Sequence, residues 1–198
     1  MALVAGQGCA LSTRVIVPRH RYEDSADAIV SLLETLVVGD PQDPAPTLGP
    51  LIGRRQRDRV DGFVRRAVDE GARVAAGGRV PEGPGWFYAP TLVTDVEAPM
   101  EIAREEVFGP VLSLMAHDGD DHAVELANAT RYGLSGHVYA ADADRAREVA
   151  GRIRSGTMSV NGGVWYAPDV PFGGVKMSGM GREMGVAGLE EYLEVRSF

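Results

Sequence analysis

Gly6-Gln7-Gly8-Cys9 is the stretch with the clearest chemical potential, because Cys9 is the only cysteine in 198 residues and no internal disulfide can claim it. Glycines on both sides of Gln7 allow positive φ and leave little bulk beside the sulfur. A thiol reacts as the thiolate, and backbone N–H groups at a loop-to-helix junction can hold a developing oxyanion. Taken alone, these four residues read first as a buried, inert cysteine, since most free cysteines pack as small apolar residues.

Two other stretches carry groups that could work with a thiol. Arg104-Glu105-Glu106-Val107-Phe108-Gly109-Pro110 sets two acids before an aromatic and a Gly-Pro stop. Glu106 could accept both hydroxyls of a diol such as a ribose, with Phe108 walling a planar ring; ionised acceptors make such bonds strong. The alternative is a charged helix end with Phe108 in the core. The second stretch runs from Asn161-Gly162-Gly163 through Trp165 and Tyr166 to Pro171-Phe172-Gly173-Gly174. Its aromatics either line an apolar pocket or plug the end of the core.

Other motifs fail on spacing. Gly179-Met180-Gly181-Arg182-Glu183-Met184-Gly185 places its third glycine one residue too far for a dinucleotide fingerprint, and no Gly-Lys-Ser/Thr run marks a P-loop. His20, His117, His122 and His137 are possible bases for a Cys-His hydrolase, but none neighbours Cys9 in sequence. With a single cysteine and no paired histidines at ligand spacing, the pattern does not support zinc.

Alternating strands and helices must position these stretches. Residues 13–17 read as a β-branched strand ended by Pro18, and 22–38 as an amphipathic helix with Ala26, Ile29, Val30, Leu33 and Val37 on one face. A second helix carries Val60, Phe63, Val64, Ala67 and Val68 inward and closes at Gly71. Further strands are expected at 72–75, 111–116, 136–140 and 157–160, with helices at 120–130 and 142–153. Residues 86–96 are rich in strand formers, but Pro90 assigns them to a sheet edge or a bend. Val186, Leu189 and Leu193 mark a last short helix. This order predicts an α/β fold, a largely parallel sheet with helices on its faces, as a single domain over 1–198. In such sheets ligands gather beyond the carboxyl ends of the strands, where both loops are expected.

Composition narrows the partners. A net charge of −8 with dispersed basic residues argues against nucleic acid, because phosphate binding needs clustered Lys and Arg. The densest basic run, Arg54-Arg55-Gln56-Arg57, reads as a solvated helix start. No apolar run approaches the roughly 20 residues of a membrane span, and the expected location is cytoplasmic.

The ordered set of motifs closely resembles the C-terminal catalytic region of the aldehyde dehydrogenase superfamily over nearly the whole chain. It comprises Gly6-Gln7-Gly8-Cys9 with Thr13-Arg14-Val15, Val38-Gly39-Asp40-Pro41, Leu48-Gly49-Pro50-Leu51-Ile52, Ala89-Pro90-Thr91-Leu92 and Glu105-Glu106-Val107-Phe108-Gly109-Pro110. Asn128, Tyr132-Gly133-Leu134, Gly156-Thr157, Val160-Asn161 and the run from Pro171 to Gly179 complete it. The resemblance implies a three-layer catalytic domain with helices on both sheet faces. It makes Cys9 the nucleophile toward a small-molecule aldehyde, with NAD or NADP taking hydride and a thioester hydrolysed to the acid. It also matches Glu106 to the ligand of the nicotinamide ribose and Phe108 to the residue packing near the nicotinamide. Gly8, Ala10, Asn161, Trp165, Tyr166 and Phe172 would shape the aldehyde pocket, and Glu183 would serve a secondary proton relay. Val4 stands where many members have Asn. The family's Rossmann domain, with its oxyanion-hole asparagine and water-activating glutamate, lies upstream of the matched region. The chain is therefore expected to need such a domain, from a separate chain or its own longer form, and otherwise to act as a binding module or Cys-dependent esterase. An exposed junction face is expected to make it a homo-oligomer.

Overall fold

The computed structural model describes residues 3–163 and 167–198 of the chain. Its contacts group into two compact units, Met1–Ala129 and Thr130–Phe198.

The first unit is built on a four-stranded sheet. In chain order its elements are β1 (Arg14–Pro18), α1 (Tyr22–Glu34), α2 (Arg54–Asp69), β2 (Arg73–Ala76), β3 (Thr91–Thr94), α3 (Glu101–Arg104), β4 (Val111–His117) and α4 (Asp120–Asn128). The strands lie in the order β1-β4-β3-β2, parallel between β1, β4 and β3 and antiparallel between β3 and β2. All four residues of β3 are buried, the continuous burial expected of a strand covered on both faces. Alternation then divides the core. Leu92 and Leu114 face Ala26 and Leu33 of α1, whereas Val93, Val111 and Met115 pack with Val60, Phe63, Val64 and Ala67 of α2. Helices therefore cover both faces, and the expected three layers are present in this unit.

Helix ends follow local chemistry. α2 places Val60, Phe63, Val64 and Ala67 on one stripe, and Gly71 at φ 107 closes it while the Ala72 N–H returns to the Ala67 carbonyl. The Arg14 guanidinium donates to the Leu126 and Ala127 carbonyls at 3.0 and 2.9 Å, placing a cation at the carboxyl end of α4.

Three expectations change. β3 is an interior strand, not an edge: Pro90, which has no N–H, stops just short of it, and the ladder begins with the Thr91 N–H donating to Pro110 at 2.8 Å. The 104–110 stretch enters the amino end of β4 rather than leaving a carboxyl end, because the short α3, which the periodicity did not reveal, ends at Arg104. The first helix stops at Glu34, so Val37 is exposed outside it.

The second unit contains β5 (Ser135–Val138), α5 (Ala143–Arg152), β6 (Thr157–Val160) and α6 (Gly185–Glu190). β5 and β6 pair in parallel, joined through α5. Asp142 caps α5 by accepting from the Asp144 and Arg145 N–H groups. No helix among the described residues is long and apolar enough to cross a membrane.

Candidate active site

Cys9 lies before β1, at the amino end of the parallel strands. Val4, Ala5 and Gly6 turn in succession with φ of 45°, 53° and 73°. The Gln7 N–H donates to Val4 O at 3.1 Å, and the Leu11 N–H closes a second turn on Gly8 O at 3.3 Å. Cys9 is the second residue of that turn and is exposed, whereas Ala10 beside it is buried. A helix does not follow Cys9, so its surroundings are a turn leading into a strand rather than a loop-to-helix junction. Gln7 fixes the turn from its side: Nε2 donates to Val4 O at 3.1 Å, and Oε1 accepts from the Ile52 N–H at 2.9 Å.

Gly6 joins this turn to the acidic loop. A Cβ on Gly6 would overlap the backbone carbonyl of Gly109, so the two segments meet at a contact only glycine permits. Val4 is the strained partner in the same turn, because a β-branched residue rarely adopts positive φ. Val4→Asn is expected to stabilise the chain by about 1 kcal/mol, since Asn tolerates this conformation far better. An unchanged urea midpoint for that variant would show that Val4 carries no strain.

The loop bearing Glu106 and Phe108 is held by α2. Gln56 Nε2 donates to the Val107 and Phe108 carbonyls at 3.1 and 2.6 Å. Arg59 donates to the Val107 carbonyl at 2.5 Å and the Glu106 carbonyl at 2.7 Å. Phe108 has φ 53°, and Gly109 is buried against Val60. Glu106 and Phe108 are themselves half-buried. Phe108 lines an open cleft of about 740 Å³ with Gln7, Pro50, Leu51, Ile52, Gln56 and Trp86. Arg54 and Arg57 approach the Trp86 ring at 4.7 and 5.3 Å. The basic run is therefore not simply solvated. Gln56 and Arg59 escaped the sequence reading, although their spacing of three, continuing into Val60 and Phe63, places them beside the inward stripe.

The second unit holds the remaining candidates. Asn161 follows β6 with φ 51°, and its amide pairs with both backbone groups of Ala140: Oδ1 accepts from the N–H and Nδ2 donates to the carbonyl, each at 2.9 Å. The side chain thus continues the β5–β6 pairing. Beside it, Tyr139 donates to the Gly162 carbonyl at 2.7 Å and stacks with His137, whose pKa burial pushes below its ordinary value. Phe172 and Glu183 meet through reciprocal backbone bonds, N to O, of 2.8 and 2.7 Å. Glu183 is exposed and Phe172 half-buried. Trp165 and Tyr166 lie outside the described residues. Gly8, Cys9, Ala10, Glu106 and Phe108 thus belong to the first unit, and Asn161, Phe172 and Glu183 to the second. Among the described residues no group of three His, Cys, Asp or Glu side chains could hold a metal.

The first unit is thus a layered α/β unit with an exposed thiol at the amino ends of its parallel strands, joined through the Gly6–Gly109 contact to a clamped acidic-aromatic loop. The chain belongs to the aldehyde dehydrogenase family, whose model matches residues 1–198. It is 43% identical over 194 residues to geranial dehydrogenase of Castellaniella defragrans, covering 97% of this chain and 40% of that protein. The fold matches an aldehyde dehydrogenase of Mycobacterium tuberculosis complexed with NAD+, at TM-score 0.90 and 44% identity over 96% of this chain and 40% of the other. It also matches a cysteine-to-alanine mutant of aldehyde dehydrogenase C from Pseudomonas syringae, complexed with NAD+ and octanal. There the TM-score is 0.91 and the identity 44%, again over 96% of this chain and 40% of that one. The chain therefore spans about two-fifths of the length of these relatives.

Proposed function

We propose that this chain supplies the thiol-bearing part of an NAD- or NADP-linked oxidation of aldehydes to carboxylic acids. The observation that carries the reading is the exposed Cys9, on a turn fixed by Gly6 against the loop of Glu106 and Phe108. The Cys9 thiolate adds to the aldehyde carbon, forming a C–S bond while the carbonyl electron pair moves to oxygen. The backbone N–H of Cys9 itself stabilises that oxyanion. Bound NAD or NADP supplies the acceptor for the hydride, and the acyl group remains on Cys9 as a thioester until water releases the acid.

The residues of the first unit fit such a cofactor. Glu106 offers a carboxylate for a ribose diol, and Phe108 offers an aromatic wall on an open cleft shared with Trp86 and two glutamines. Gly8 and Ala10 flank the thiol. In the second unit, Asn161, Trp165, Tyr166 and Phe172 are assigned to the aldehyde pocket and Glu183 to a proton relay, on the family resemblance. Membership of this family supports turnover with a dinucleotide-binding domain, contributed by the same polypeptide or another, and a cytoplasmic setting.

The 198-residue chain alone is then expected to show no measurable aldehyde-dependent reduction of NAD or NADP. Adding a dinucleotide-binding domain of the family, fused or in trans, is expected to restore it. Robust reduction by the chain alone would show the second domain to be dispensable, and none with the domain supplied would sink the oxidoreductase reading. A Cys-dependent esterase is the second reading, favoured by the exposure of Cys9, because acylation by an ester needs no nicotinamide.

Self-association is also proposed. Tyr192, Leu193, Val195 and Phe198 near the C-terminus are all exposed, an apolar run of the kind that soluble proteins tend to cover. Light scattering across a concentration series is expected to give a mass above the 21.1 kDa of one chain. A monomer at every concentration would refute it.

A further inference from the structure

The carbonyls of Glu106, Val107 and Phe108 are consecutive, and all three are engaged by two side chains one turn apart on α2. Such a run of acceptors has no sheet or helix ladder to satisfy it, because the chain turns at Phe108 through φ 53°. A bulky residue held at positive φ persists only where its surroundings over-determine it. Here the surroundings are specific. The Arg59 guanidinium lies 4.6 Å from the centroid of the Phe63 ring, which orients its fork toward two successive carbonyls. Gln56, three residues earlier, spans the next pair. On the far side, Gly109 packs on Val60 of the same helix and meets Gly6 of the nucleophile turn.

We infer that Gln56 and Arg59 are positioning residues: they clamp the backbone of 106–108 and so set the Glu106 carboxylate and the Phe108 ring toward the cofactor. Their contribution to cofactor binding rests on the function proposed above, whereas the clamp itself does not. Lysine could replace only part of Arg59, since an ammonium lacks the planar fork that reaches two acceptors at once.

Chymotrypsin tests the clamp, because Phe108 is a cleavage site in the loop while Phe63 and Tyr88 are sites buried in the same unit. Arg59→Ala is expected to speed cleavage after Phe108 by about tenfold or more, the equivalent of losing hydrogen bonds from a charged donor. Arg59→Lys is expected to fall between it and the wild type, and Gln56→Ala to show a smaller selective increase. Cleavage after Phe63 and Tyr88 should stay near the wild-type rate. Unchanged cleavage after Phe108, or a rise matched at Phe63 and Tyr88, would overturn the clamp. If Arg59→Ala does not fold, the same selectivity in Arg59→Lys and Gln56→Ala decides the matter.

With a dinucleotide-binding domain of the family supplied, NAD+ titrated against tryptophan fluorescence reads the second half. The dissociation constant is expected to rise by about tenfold in Arg59→Ala and to recover partly in Arg59→Lys. Equal affinity in both variants and the wild type, with selective cleavage at Phe108, would overturn the cofactor role. No NAD+ response in the wild type, with the same selective cleavage, would leave the clamp standing and count against the cofactor site proposed above.

Discussion

Cys9→Ala is expected to take up no acyl group from p-nitrophenyl acetate, whereas the wild-type chain gains one acetyl group, located on Cys9 by mass spectrometry. The test isolates the first half of the proposed reaction, since an activated ester acylates a thiol without a hydride acceptor. Cys9 is the only cysteine and it is exposed, so no other thiol can mask the loss. When a dinucleotide-binding domain is supplied, the same substitution is expected to lower turnover by a factor on the order of 10⁶, as removal of a sole covalent nucleophile does. Acylation at equal rate in native and unfolded protein would show that the turn from Gly8 to Leu11 gives the sulfur no advantage. Acylation of the Ala variant would remove Cys9 from the mechanism altogether.

Gly6→Ala is expected to destabilise the first unit by about 3 kcal/mol or more, because it combines a left-handed backbone with a steric overlap that neither side can relieve. Gly6 sits at φ 73°, between two residues already in the same region on one side and the Gln7 anchor on the other. Gly109 cannot withdraw, since its own Cα side is against Val60 and Pro110 accepts the first ladder bond of β3. Gly8→Ala is the control: a Cβ there would meet the Leu11 side chain at 3.1 Å and the Val4 side chain at an ordinary 3.6 Å, and a small adjustment accommodates it. The urea midpoint of Gly6→Ala should fall well below that of Gly8→Ala, with acylation of Cys9 slowed as well. Equal midpoints would mean that the two loops do not depend on their glycine contact.

Much of the framework was legible because its signals are periodic. Val60, Phe63, Val64 and Ala67 mark α2 by spacing alone, and the apolar run of β4 and the alternation of strands with helices predict a sheet covered on both faces. What the sequence hid was the direction of approach to the site. General experience with α/β sheets points to carboxyl ends, but Cys9 precedes β1 and the Glu106 loop precedes β4, so these candidates gather at the amino ends of parallel strands. Pro90 misled in the same way: it demotes a strand that contains it, whereas here it ends immediately before β3. α3 is too short to produce a period. Gln56 and Arg59 were hidden by composition, since a run of arginines at a helix start reads as solvated until the carbonyls they bind are placed opposite them.

The order of the strands bears on how this protein emerges from the ribosome. β1 has its sheet partner in β4, with Arg14 opposite Ser113, and Gly6 has its seat at Gly109. Pairs so far apart in the chain close slowly and only after both members exist. At synthesis rates of about 5–20 residues per second, the stretch carrying Cys9 waits on the order of 5–20 s for its counterpart to be made. During that interval a β-branched strand is unpaired, open to neighbouring nascent chains. β1 is thus made well before the strand that completes its sheet, so the yield of folded protein should depend on how quickly translation runs from β1 to β4.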